Sequence, residues 1–169
     1  FDLRFTGLAA GEAKLATLTA HGSASDLFGK PVLALEADAH GVGAAGFTGD
    51  GTLKANGPLG NLDADLAMDL KDEAGEPAML SASAKLDMPS RKLAFTALKG
   101  QWRGGVLALD EPATVSYAQG LSIDHLAARL AGGTITASGR FAPTLALQAK
   151  VSGVKLEDIP RLMPTVGPR

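Results

Sequence analysis

The chain contains no cysteine. Disulfide staples, thiolate metal sites and thiol nucleophiles are therefore excluded. Compartment is left open, because an oxidising space does not require disulfides. Aromatics are scarce, with six Phe, one Trp and one Tyr among 169 residues. That is little material for a bulky sandwich core or a base-stacking platform. A dominant charge sign is also missing: 16 Lys and Arg stand against 18 Asp and Glu. Only Arg91 and Lys92 are adjacent cations, so no basic stripe exists and nucleic acid is not an expected partner. No apolar run approaches the ~20 residues of a membrane-spanning helix.

What is present is small and aliphatic. Thirty Ala and 25 Leu favour helix, while 21 Gly oppose it. Periodicity decides between them. Leu62, Ala64, Leu66, Met68 and Leu70 alternate with Asp63, Asp65, Ala67 and Asp69. After a polar Gly/Pro turn, Leu80, Ala82, Ala84, Leu86 and Met88 alternate with Ser81, Ser83, Lys85 and Asp87. Two such runs predict an antiparallel hairpin, with Lys85 and Asp87 near the Asp63, Asp65 and Asp69 row. Leu33, Leu35, Ala37 and Ala39 form another such face, as do Leu145, Leu147, Ala149 and Val151. Turn signals recur every 8–15 residues along the chain, the spacing of an all-β protein. Residues 121–130 (LSIDHLAARL) fit a bulged strand or a short helix, and the flanking strands favour the strand. Residues 154–164 predict a short helical turn ended by Pro164. The opening at Phe1 and the composition of residues 164–169 lead us to expect a piece of a longer protein. Within it, residues 1–169 form one β-rich unit built of repeated hairpins.

Few residues suggest chemistry. Residues 41–46 (GVGAAG) match a dinucleotide fingerprint, but no helix can follow through Phe47-Thr48-Gly49-Asp50-Gly51, so a Gly-rich β-connection is expected. His21, His40 and His125 lack metal-ligand spacing. The Asp63, Asp65 and Asp69 row, with Asp72 and Glu73, points outward from a strand rather than converging on a calcium ion. No nucleophile elbow occurs. Trp102 and Tyr117 read as packing anchors. Neither a catalytic set, a metal nor a cofactor is expected.

The apolar face remains. A sheet with one greasy face must cover it, and no amphipathic helix is available to do so. Either the sheet closes on a dry core, or it curls into a trough that a ligand fills. The Ala-rich inward set leaves room for acyl chains. At about 0.8 kcal/mol per CH₂, a C16 chain would gain on the order of 10 kcal/mol.

The C-terminal half carries a resemblance. Residues 113–117 (ATVSY) lead into 120–130 (GLSIDHLAARL), then 132–140 (GGTITASGR) and 143–153 (PTLALQAKVSG). This cadence is similar to the β-repeats of the TamB (translocation and assembly module) family, within the wider AsmA-like group of Gram-negative bacteria. It covers roughly residues 90–160, and residues 1–90 share the style alone. The resemblance implies a curled, mainly antiparallel extended sheet, trough-like, with an apolar concave face. It implies a periplasmic location, with an inner-membrane anchor outside this chain and a TamA-like outer-membrane barrel as partner. It implies non-enzymatic phospholipid transport between the membranes, outer-membrane protein assembly, or both. The expected groove-lining residues are Leu33, Leu35, Leu62, Leu66, Met68, Leu70, Leu80, Leu86, Met88, Val115, Tyr117, Ile135, Leu145, Leu147 and Val151. A dry-core structural or adhesive β-solenoid or sandwich, and a lipopolysaccharide trough, stand as alternatives. The facing of Ile123 against Leu126 is open.

Overall fold

A computed structural model describes residues 1–10, 13–26, 28–130, 132–140 and 145–153. The expected helical turn at 154–164 lies outside them. The described chain is all β, and the strands are β1 (Asp2–Ala10), β2 (Ala13–Ser25), β3 (Val32–Ala44), β4 (Phe47–Pro58), β5 (Asn61–Asp72) and β6 (Pro77–Asp87). They continue as β7 (Lys92–Trp102), β8 (Gly105–Leu109), β9 (Ala113–Ser116), β10 (Ser122–Leu130), β11 (Gly133–Arg140) and β12 (Ala146–Ser152).

All twelve strands belong to one antiparallel sheet, and from β1 to β8 each strand pairs with its neighbour in sequence. Strands β8 and β9 share one lane, both lying between β7 and β10. The hairpin from Leu62 to Leu86 forms as the alternation requires, with Leu66 opposite Ala82 and Met68 opposite Leu80. Residues 122–130 are strand.

The connections differ between the two ends of the sheet. Two of those at one end are tight two-residue turns. Ala45-Gly46 and Arg103-Gly104 both hold positive φ, 52° and 82° in the first pair, 48° and 76° in the second. That is the two-residue turn whose twist matches the flanking strands, and the Gly removes the steric cost at its second position. The Gly41–Gly46 fingerprint is thus spent on β3 and a hairpin turn. The connections at the other end hold Phe28, Leu59, Met88 and Tyr117.

The core is thin. Its members are alanines and Leu62, and among the described residues no large side chain is fully buried. One sheet cannot enclose its own side chains, so Leu and Met sit half-buried between neighbours on the same face.

Candidate functional site: one apolar sheet face

Directly opposed residues of an antiparallel pair lie on the same face. Tracing the register across the sheet therefore shows what each face carries. One row runs Phe5, Leu18, Ala39, Gly51, Met68, Leu80, Gly100, Leu107, Leu130, Gly133. The next runs Leu3, Ala20, Ala37, Leu53, Leu66, Ala82, Leu98. Leu109, Ala128, Ile135 and Val151 form a further row on the C-terminal side. Below them come Gly22, Leu35, Ala55, Ala64, Ala84, Phe95 and Ala113. Another row joins Leu62, Leu86, Leu93, Val115, Ile123, Gly139 and Leu147. None of these positions is polar.

Two of the three register shifts in the sheet show how this order is preserved. A register shift between Ser83 and Ala84 sets Thr96 of β7 aside, and Phe95 and Leu98 both stay on the apolar face. A second shift takes up Asp124 and His125 between Ile123 and Leu126. Ile123 then opposes Gly139 and Leu126 opposes Ala137, so both face the apolar side. A bulge adds one residue to one strand, which keeps alternation in phase across an interruption.

Of the expected groove residues, Leu33, Leu35, Leu62, Leu66, Met68, Leu70, Leu80, Leu86, Val115, Ile135, Leu147 and Val151 lie on this face. Three do not. Met88 sits in the turn after β6, where its N–H donates to Gly60 O at 3.1 Å. Tyr117 lies past the end of β9 and donates its N–H to Arg91 O at 3.0 Å. Leu145 precedes β12 and is 73% exposed. Each continues the alternation of its strand in sequence, but the chain has already left the sheet.

The opposite face is charged. Asp2, His21, Glu36, Lys54, Asp65 and Ser83 form one row across six strands. Along it His21 meets Asp2 at 2.5 Å, Lys54 meets Glu36 at 2.8 Å, and Ser83 donates to Asp65 at 2.6 Å. Hydrogen bonding and charge from Lys54 hold Glu36 below its ordinary value, and Glu36 raises Lys54 in return. Lys85 pairs with Asp63 at 3.2 Å, as the hairpin predicts. The histidines each meet a carboxylate: His40 with Asp50 at 3.4 Å, His125 with Glu111 at 3.7 Å. A groove of about 500 Å³ on this face, edged by Asp69, Lys99 and Gln101, runs over Ala67, Met79, Val106 and Ala108. The alternation hid it, because those residues occupy positions that are polar on other strands.

Asp72 plays a role that sequence alone did not reveal. It ends β5 and accepts bonds from Ala74 N–H and Glu76 N–H, each at 2.9 Å, which shape the turn. Its other oxygen accepts from Trp102 Nε1 at 3.1 Å and from Arg103 Nε at 2.8 Å. Arg103 lies over the Trp102 ring at 5.0 Å, and Phe47 meets that ring edge-on at 5.2 Å. Phe47 and Trp102 stand on strands three apart, which a flat sheet holds roughly 14 Å from one another. The carboxylate is 7% exposed. Burial disfavours its charge, but bonds from Glu76 N–H, Arg103, Trp102 and Ala74 N–H outweigh that, and its pKa lies below 3.8. A depressed folded value means a contribution that is whole above the unfolded pKa and lost as pH falls through the folded one. Trp102, the sole tryptophan, should report the corner opening in acid below pH 3.8. Asp72→Asn should remove that part of the acid transition, and an unaltered transition in fluorescence titration would refute the assignment.

Comparison with family models, with curated proteins and with solved structures returned no match.

Proposed function

We propose that this chain is a lipid-contacting module of the TamB and AsmA-like kind, acting without catalysis in the periplasm. Its apolar face is the concave wall of a trough that holds phospholipid acyl chains on their way between inner and outer membrane, or supports outer-membrane protein assembly. The observation that carries this reading is the unbroken set of apolar rows, half-buried and without a covering layer among the described residues. A closed sandwich would bury its Leu, Met and Phe side chains fully, and among the described residues none is fully buried. The approach of Phe47 to Trp102 across intervening strands supports a sheet curled toward the apolar side. The rows carry no chemically distinct position, so an acyl chain meets the same Leu/Ala surface at each step and can slide. A TamA-like barrel and the inner membrane are the partners in this reading.

The test is native mass spectrometry of protein purified without detergent, followed by organic extraction. Phospholipid at near-stoichiometric amounts is the expected result. Lipid A chains in the extract would redirect the cargo to lipopolysaccharide. A lipid-free, cooperatively unfolding monomer would overturn the trough and favour a structural or adhesive role.

A further inference from the structure

The two ends of the sheet are chemically unlike. Among the described residues, every exposed large hydrophobic in a connection between strands lies at one end: Phe28, Leu59, Met88, Tyr117, Leu121 and Leu145. Phe28 is fully exposed. The opposite end shows Ala45-Gly46, Glu73, Glu76 and Arg103-Gly104. Three of the residues that left the apolar face, Met88, Tyr117 and Leu145, are part of this rim.

The rim is also tied together. Leu59 N–H donates to Pro31 O at 2.8 Å, Met88 N–H to Gly60 O at 3.1 Å, and Tyr117 N–H to Arg91 O at 3.0 Å. These bonds run from turn to turn and hold the tips in a row, successive hairpin turns roughly 10 Å apart. Between them lies an open recess of about 640 Å³ walled by Pro31, Pro58, Leu59, Met88 and Pro89. Lys30, Arg91 and Lys92 flank the tips. The two carboxylates beside them keep their charge: Asp26 accepts from Lys30 N–H at 2.8 Å, and Asp87, opposite Lys92, accepts from Ser90 N–H at 2.9 Å, so three cations stand against two anions. At the other end Asp72, Glu73 and Glu76 outnumber Lys71 and Arg103. Strands added beyond β1 or β12 would widen the sheet and leave this rim uncovered.

We propose that this rim seats on the interface of an anionic lipid bilayer, its apolar tips entering the headgroup boundary and Lys30, Arg91 and Lys92 meeting lipid phosphates. Apolar and aromatic tips flanked by cations are the composition that favours a membrane interface over water, and the cation excess selects anionic headgroups. This surface is distinct from the apolar face and does not rest on the trough.

Flotation of the full chain with vesicles of phosphatidylcholine and phosphatidylglycerol tests it. Binding should weaken with added salt and on phosphatidylcholine alone. The triple variant Phe28→Ser, Leu59→Ser, Met88→Ser should bind at least tenfold more weakly with an unchanged circular dichroism spectrum and melting point, since those side chains are exposed. Glu73→Ser at the opposite rim should bind like the wild type. In Phe28→Trp, vesicles should shift the emission to the blue, whereas the wild type, whose Trp102 sits at the far rim, should not shift. Equal binding by wild type and triple variant overturns the proposal. So does a wild-type dimer that ignores vesicles and that the triple variant turns into a monomer, which would make the rim a contact between copies.

Discussion

Leu66→Arg should cost this protein far more than Asp65→Arg, although the two residues are neighbours. Leu66 lies opposite Leu53 on one strand and Ala82 on the other, in the middle of the apolar rows. Removing a half-buried Leu forfeits part of the about 1.5–3 kcal/mol that full burial contributes, and the guanidinium must then find water from within an apolar surround. Arg can direct its charge toward the open side of the face, so the expected loss is about 2–4 kcal/mol rather than complete unfolding. In the proposed trough the charge would also stand in the path of acyl chains, and co-purifying lipid should fall several-fold. Asp65 points to the other face and accepts a bond from exposed Ser83. Its replacement should stay within about 0.5 kcal/mol and leave lipid content unchanged. Chemical denaturation of both variants, with lipid extraction of each, checks the pair. Equal effects would show that the two faces are not chemically different in solution.

Gly49→Ala is expected to be nearly as damaging, for a different reason. An added methyl at Gly49 would sit 2.1 Å from Asp69 O and 2.8 Å from Leu70 Cα, both backbone atoms of β5. Backbone cannot swing aside as a side chain can. Either β4 and β5 separate locally, breaking ladder bonds, or Gly49 twists out of register. The expected cost is about 2–4 kcal/mol. Gly51, two residues on, makes the control. Its methyl would meet Ala67 O and Met68 Cγ at 3.2 Å, and the Met side chain can yield. Gly51→Ala should lie within about 1 kcal/mol of wild type. Melting curves distinguish them, and a harmless Gly49→Ala would mean that β4 and β5 leave room for a methyl at this position.

Much of this was legible in the sequence because the governing rule is local. Side chains of a strand alternate by geometry, so Leu62 to Leu70 and Leu80 to Leu86 declare their common face without knowledge of any partner. A meander then pairs each run with the next one, and a short Gly-containing turn is all the topology requires. Other features were not readable. Alternation alone cannot say where a strand stops. Met88, Tyr117 and Leu145 keep the parity of their strands yet belong to the rim, because a turn hydrogen bond or a loop captured the backbone first. Nor could spacing decide between Ile123 and Leu126, three residues apart, until the partner strand β11 absorbed Asp124 and His125 as an irregularity. Asp72 looked like one more exposed carboxylate in an acidic turn. Its value comes from Trp102 and Arg103, thirty and thirty-one positions away, which only the stacking of β5, β6 and β7 brings to it.

The all-β class, the alternation and the chemical identity of the two faces are local properties, since each follows from the two-residue period of extended backbone. The rest required strand pairing. It joined separate apolar runs into continuous rows, because register depends on pairs of strands. It also gathered the exposed tips at a single end of the sheet, because every second connection of a meander returns to the same side.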